Sequence, residues 1–155
     1  IAYIKAPFFD QTIELISEVI DFNNSNLFEF LYNSILKICD YLEIKTKIVV
    51  SSDINIDHSL KSTDKVIAIC KRLDATKYIN AIGGQELYSQ ETFNENGIQL
   101  NFIKSRDIKY SQFSDEFIPW LSIIDIMMFN SKSEIKNMLN LIKNVNKVFY
   151  SSQLF

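Results

Sequence analysis

Three glycines serve the whole 155-residue chain, and two of them stand together as Gly83-Gly84, directly after the strand-like Lys77-Tyr78-Ile79-Asn80. Glycine supplies positive φ or lets another group come close to the main chain, and in α/β proteins ligands bind beyond the carboxyl ends of strands. The pair therefore marks a place with two readings. It is a tight turn carrying the strand into a short helix, or its free amides cradle an anionic group. No G-x-G-x-x-G spacing surrounds it, which excludes a dinucleotide fingerprint.

Ser51 and Ser52 follow a second strand-like run, Lys47-Ile48-Val49-Val50, and in a parallel sheet they would share one rim with Gly83 and Lys104. Hydroxyls there suit a sugar or a phosphate, while Ser-Ser-Asp is equally turn chemistry. Lys61 precedes a helix whose N-terminal dipole favours an anion, and Lys71 in its last turn complements the opposite end; each also reads as a solvated surface charge. His58 is the only histidine. It has neither the nucleophile and acid of a triad nor a His or Cys at metal-ligand spacing. Tyr88, Tyr110 and Gln112 supply aromatic and amide groups able to stack on and hydrogen-bond a sugar or base. Asp125 reads chiefly as the acid of a helix cap at Ser122, and Trp120 beside Pro119 as a packing anchor or as a platform for a sugar face. No residue announces itself as a general base, so no catalytic residue is assigned, and no metal or cofactor is called for.

Positioning these groups needs a packed frame. Hydrophobic residues make up 47% of the chain, enough for one globular domain with a core of its own. The formal net charge of -3 offers no basic excess for a phosphate backbone, which argues against nucleic acid. Two cysteines, Cys39 and Cys70, fit a reduced cytoplasmic interior rather than a disulfide scaffold. No apolar run is long enough to span a bilayer.

Periodicity and caps set the expected elements. Ile1-Ala2-Tyr3-Ile4 reads as a strand. Asp10 caps a helix carrying Ile13, Ile16, Val19 and Ile20, and Asn26 with Glu29 opens a second, whose buried stripe is Leu27, Leu31, Ile35, Ile38, Cys39 and Leu42. Lys47–Val50 is a buried central strand. A third helix carries Val66, Ile67, Ile69, Cys70 and Leu73. After the Tyr78-Ile79 strand and the glycines, a short helix around Phe93 stops at Asn96-Gly97 with a left-handed cap. Ile98, Leu100 and Phe102 then alternate as a half-buried strand. Ser122 opens a very apolar helix, and Ser131 with Glu134 opens the last, on Ile135, Met138, Leu139 and Ile142. Alternating strands and helices predict an α/β fold, a Rossmann-like parallel sheet flanked by helices with a helical C-terminal part.

The segments Tyr78–Tyr88, Gly97–Phe102, Tyr110-Ser111-Gln112-Phe113, Phe117–Asp125 and Met127–Asn130 resemble the WbqC-like family, as do Tyr3–Phe9 and Ser51-Ser52. The resemblance runs from Tyr3 to about Leu139. Its members are typically encoded among genes for O-antigen and other surface polysaccharides, which implies a cytoplasmic bacterial protein working on sugar precursors. The family's opening His-Gln-Pro and Tyr-Leu-Pro-Trp stretches are absent, so the chain reads as the C-terminal two-thirds of such a protein, folded as a single domain over residues 1–155.

The resulting expectation is a site for an anionic small molecule such as a nucleotide sugar. Ser51, Ser52, Lys61, Gly83, Gly84, Tyr88, Tyr110 and Gln112 are its contacts, and group transfer to an amino sugar is the leading reaction. The rival is a non-catalytic module that binds a sugar nucleotide or a partner. Its motive is the apolar helix Leu121–Phe129, which would form a homodimer through Met128 if it were exposed, or a core if it were not.

Overall fold

The computed structural model describes residues 2–104 and 107–142. They form a mixed helix and strand structure whose contacts divide it into two compact units, residues 2–46 with 107–142, and residues 47–104. The element order is α1 (Phe9–Ile20), α2 (Leu27–Tyr41), α3 (Ser62–Arg72), β1 (Lys77–Ala81), α4 (Gln90–Glu95), β2 (Gln99–Ile103), α5 (Ile123–Phe129) and α6 (Lys132–Ile142), with 3-10 turns at Ser51–Asp53 and Ile82–Leu87.

The first unit is helical. Its opening residues are not the expected strand. The Ala6 amide donates to the Tyr3 carbonyl at 2.8 Å and that of Phe9 to the Ala6 carbonyl at 3.1 Å, so the backbone bends straight into α1. Phe8 takes the N-cap position without a side-chain bond, and Asp10 lies inside the first turn rather than capping it. There its charge favours the helix dipole. The other starts form as their side chains dictate. Asn26 Oδ1 accepts from the Phe28 and Glu29 amides. Ser122 Oγ accepts from the Ile124 amide. Ser131 and Glu134 close a reciprocal capping box, at 2.7 Å from the Ser131 amide to Glu134 Oε2 and 3.3 Å from the Glu134 amide to Ser131 Oγ.

Leu15, Leu42, Met127 and Ile135 form the core of this unit, with Ile38, Tyr41, Ile123, Ile124 and Leu139 packed around them. Met128 is buried as well, so α5 faces a core and offers no surface for a homodimer through Met128. The stripe of α2 is buried only toward its C-terminal end. Leu27, Leu31 and Ile35 are 69%, 50% and 50% exposed. Helix α1 also completes α5. The Phe8 amide donates to the Met128 carbonyl at 3.0 Å, and buried Thr12 Oγ1 to the Met127 carbonyl at 3.0 Å. Two C-terminal carbonyls that a helix cannot satisfy itself thus find donors.

The second unit is built around β1 and β2, which pair in parallel from Lys77↔Gln99 to Ala81↔Ile103. The connection runs through the 3-10 turn and α4, as a parallel pair requires. Ile67, Cys70, Phe93, Ile98 and Leu100 make its core, joined by Val66, Tyr78, Tyr88 and Phe102. Gly97 ends α4 at φ 73°, its amide donating to the Asn94 carbonyl at 2.9 Å, the expected left-handed cap. Lys71 sits in the last turn of α3, with Nζ donating to Asn96 Oδ1 at 2.7 Å.

The expected strand at Lys47–Val50 does not form. The segment joins no sheet and Val49 is 42% exposed. Strand propensity is realised only where a partner ladder and a covering layer exist, and among the described residues the sheet consists of β1 and β2 alone.

Candidate functional site

Asp125 occupies the first turn of α5 and is 3% exposed. An ionised carboxylate there needs donors, and the segment between β2 and α5 brings them. Tyr110 donates its hydroxyl to Asp125 Oδ2 at 2.6 Å, and Gln112 Nε2 donates to the same oxygen at 2.9 Å. Gln112 also clasps its own loop. Its Oε1 accepts from the Ile118 amide at 2.9 Å and its Nε2 donates to the Ile118 carbonyl at 3.1 Å, so one carboxamide does for Ile118 what a neighbouring strand would. The Tyr110 ring meets Phe117 edge to face at 5.3 Å, and Phe113 meets Phe129 the same way at 4.7 Å.

These contacts fix the walls of an open depression of about 510 Å³, lined by Lys109, Tyr110, Ser111, Gln112, Ser114, Asp115 and Phe117. Burial, reinforced by the hydrogen bond to Asp125, pushes the Tyr110 phenol up to about 12. The Asp125 carboxylate raises the Tyr3 phenol as well, chiefly by hydrogen bonding. Both phenols are therefore donors at neutral pH, not bases. The lining presents serine hydroxyls, a carboxamide, one ammonium and one carboxylate beside the rings of Tyr110 and Phe117. Among the described residues no cluster of three His, Cys, Asp or Glu side chains is placed to hold a metal ion.

The structure thus brings Tyr110 and Gln112 together, and the residue that joins them is Asp125. The Ser122–Asp125 cap is only half made: the serine caps, while the carboxylate serves Tyr110 and Gln112 instead. Trp120 is not a packing anchor. Its indole is 73% exposed and its backbone lies at φ 63°.

The other expected contacts lie in the second unit. Gly83 and Gly84 form part of the 3-10 turn that follows β1, and the glycine with positive φ is Gly97, so the pair is not there for a left-handed turn. A Cβ on Gly83 would meet nothing within 4 Å, whereas one on Gly84 would come 2.5 Å from Asn80 Nδ2. The group that approaches Gly84 is thus the chain's own Asn80, whose Oδ1 accepts from the Ala81 amide at 2.8 Å. Gly83 and Lys104 do follow the carboxyl ends of adjacent parallel strands. Ser51 and Ser52 do not; with no strand before them they form an exposed 3-10 turn, in which Ser52 Oγ lies 3.4 Å from Asp53 Oδ1. Lys61 is exposed at the N-cap position of α3. Two residues on, Thr63 Oγ1 reaches the Leu87 carbonyl at 3.5 Å, linking the start of α3 to the end of the glycine turn. Tyr88 packs against Tyr78 and Phe93, each at 5.7 Å, and Tyr78 is pushed up to about 12 by burial and by its Tyr88 neighbour. His58 Nε2 lies 3.0 Å from the Ile54 carbonyl, a local partner.

No curated protein and no solved structure matches this chain. The description "WbqC-like protein family" fits it over residues 1–137. That span includes residues of both units and every group of the Tyr110–Gln112–Asp125 network, and by it the chain belongs to the WbqC-like protein family.

Proposed function

We propose that this WbqC-like protein binds a nucleotide-linked amino sugar in the bacterial cytoplasm and serves group transfer to it during O-antigen or related surface-polysaccharide synthesis. The observation that carries this reading is the Tyr110–Gln112 pair, held by buried Asp125 on the wall of a polar depression of about 510 Å³. That volume lies within the range of small-molecule sites. The hydroxyls of Ser111 and Ser114 match the donors and acceptors of a sugar, the lone pairs left on Tyr110 and Gln112 accept from its hydroxyls, and Lys109 supplies a charge for phosphate. The family match over residues 1–137, which draws on residues of both units, supports reading the chain as a single domain. The parallel β1–α4–β2 connection is what supports a Rossmann-like sheet.

A second set of contacts, Lys61 with Gly83 and Gly84, is favoured for an anionic group by the Thr63–Leu87 link between the α3 N-terminus and the glycine turn. Ser51 and Ser52 add hydroxyls in the same unit.

Thermal denaturation of the 155-residue protein with UDP- and dTDP-linked hexosamines tests the proposal, since a ligand of the native state raises the melting temperature. The expected result is a concentration-dependent rise that Gln112→Ala removes. Unchanged melting with every sugar nucleotide overturns it. A rise that survives Gln112→Ala but not Gly84→Val moves the site to the glycine turn.

A further inference from the structure

Trp120 breaks two rules at once. Indoles are large and are mostly buried, yet this one is 73% exposed. A bulky side chain at positive φ is an outlier, yet Trp120 stands at φ 63°. Both features persist in a segment that is otherwise tightly held. Two residues before it, Ile118 is clasped through its amide and carbonyl by Gln112. Two residues after it, Ser122 caps α5. Three residues before it, Phe117 lines the polar depression. The left-handed turn at Trp120 sits between two fixed points, so the indole is presented to solvent by a constrained loop.

We infer that Trp120 is a stacking platform for the hexose ring of the ligand, the part of the site that reads the sugar. The inference rests on the sugar-nucleotide reading above. A pyranose carries its C–H bonds on one face and its hydroxyls at the rim. The depression's lining supplies partners for hydroxyls, but its rings, Tyr110 and Phe117, are only partly exposed, and the indole offers a more exposed flat face than they do or than Phe113 at 56%. Loop constraint matters because a pre-set aromatic loses little freedom on binding.

Trp120 is the only tryptophan among seven tyrosines, so emission excited at the red edge, where tyrosine does not absorb, reports on this residue alone. The experiment titrates the protein with UDP-N-acetylglucosamine, with UDP, and with the free amino sugar, following emission and melting temperature together. The expected result is a change in emission with the sugar nucleotide and not with UDP. Trp120→Ala should weaken binding about tenfold, the worth of one aromatic stack, and Trp120→Tyr should restore most of it. Because the side chain is exposed, these variants should fold, which far-UV circular dichroism checks. A melting rise with no emission change and with full affinity in Trp120→Ala overturns the platform and leaves the sugar-nucleotide reading standing. An equal emission response to UDP overturns it too, by assigning the stack to the base. No melting rise with any sugar nucleotide overturns both.

Discussion

The Tyr110 hydroxyl donates to Asp125 Oδ2 at 2.6 Å, across fifteen residues of sequence, and joins a loop to the first turn of α5. The bond is charge-assisted and its acceptor is 3% exposed, so it organises the loop as well as the carboxylate. Everything else at the site depends on that placement. Gln112 reaches the same oxygen and then ties down Ile118, and the loop between them becomes the wall of the depression.

Tyr110→Phe should cost about 1 kcal/mol in urea denaturation, since Gln112 remains to serve the carboxylate. The pH dependence gives a sharper signature. A phenol ordinarily ionises near 10 and Tyr110 is pushed up to about 12, so the fold prefers its neutral form. That contribution is fully present below pH 10, and it is lost as pH rises from 10 toward 12, where the unfolded chain binds fewer protons than the native one. Tyr78, also pushed up to about 12, acts in the same window. Wild type should therefore lose stability more steeply than Tyr110→Phe over that range. Equal slopes would show that the phenol is not coupled to folding.

Gln112→Glu replaces a donor 2.9 Å from Asp125 with a second carboxylate. Like charges at that separation hold one proton between them. The new carboxyl should thus have a folded value raised above the ordinary 4.3 or so of glutamate. Its neutral form suits the native state, so stability is retained in acid and lost as pH rises through the raised value. At pH 7 the variant should be destabilised by about 1–3 kcal/mol, and by less at pH 5. Hydrogen exchange at the Ile118 amide should quicken. A pH-independent deficit would mean that the loss is steric rather than electrostatic.

Thr12→Val keeps shape and removes the hydroxyl that donates to the Met127 carbonyl at 3.0 Å. Thr12 is fully buried, so no water replaces it, and a C-terminal carbonyl of α5 is left without its donor. The expected cost is about 1–3 kcal/mol by urea denaturation. Thr12→Ser keeps the bond and loses a methyl, so its deficit isolates packing from hydrogen bonding. If Thr12→Val costs nothing while Thr12→Ser costs a methyl's packing, the bond contributes nothing net.

Local chemistry was legible in the residues. The caps at Asn26, Ser122 and Ser131 and the Gly97 turn each depend on groups within four positions, and each formed. The parallel pairing of β1 with β2 followed from a crossover long enough to need a helix. The Asp10 cap is the local exception, with Phe8 at the N-cap instead, and the other failures depended on distant partners. Lys47–Val50 has strand composition but nothing described beside it to pair with. Leu27, Leu31 and Ile35 keep helical spacing, which says that α2 has an apolar face but not what covers it. At the site, residue type alone marks Tyr110 and Gln112, while spacing offers Asp125 only a cap with Ser122 three residues away. No spacing rule pairs an acid in a helix with a phenol fifteen residues earlier.

The glycine pair can be separated by single substitutions. Gly83 lies in open space without positive φ, so Gly83→Ala should be neutral or stabilise by about 0.4–1 kcal/mol through the unfolded chain. Gly84→Ala gains the same entropy but drives a methyl to within 2.5 Å of Asn80 Nδ2. The amide must swing away, which breaks its bond to the Ala81 amide at the end of β1. Gly97→Ala places a Cβ at φ 73° and should lose about 1–2 kcal/mol to backbone strain. Thermal melts should therefore rank Gly83→Ala above Gly84→Ala, with Gly97→Ala below wild type, and exchange at the Ala81 amide should quicken in Gly84→Ala alone. If Gly84→Ala is as stable as Gly83→Ala and Ala81 stays protected, Asn80 is not what requires glycine there, and the case for a ligand approaching that backbone grows stronger.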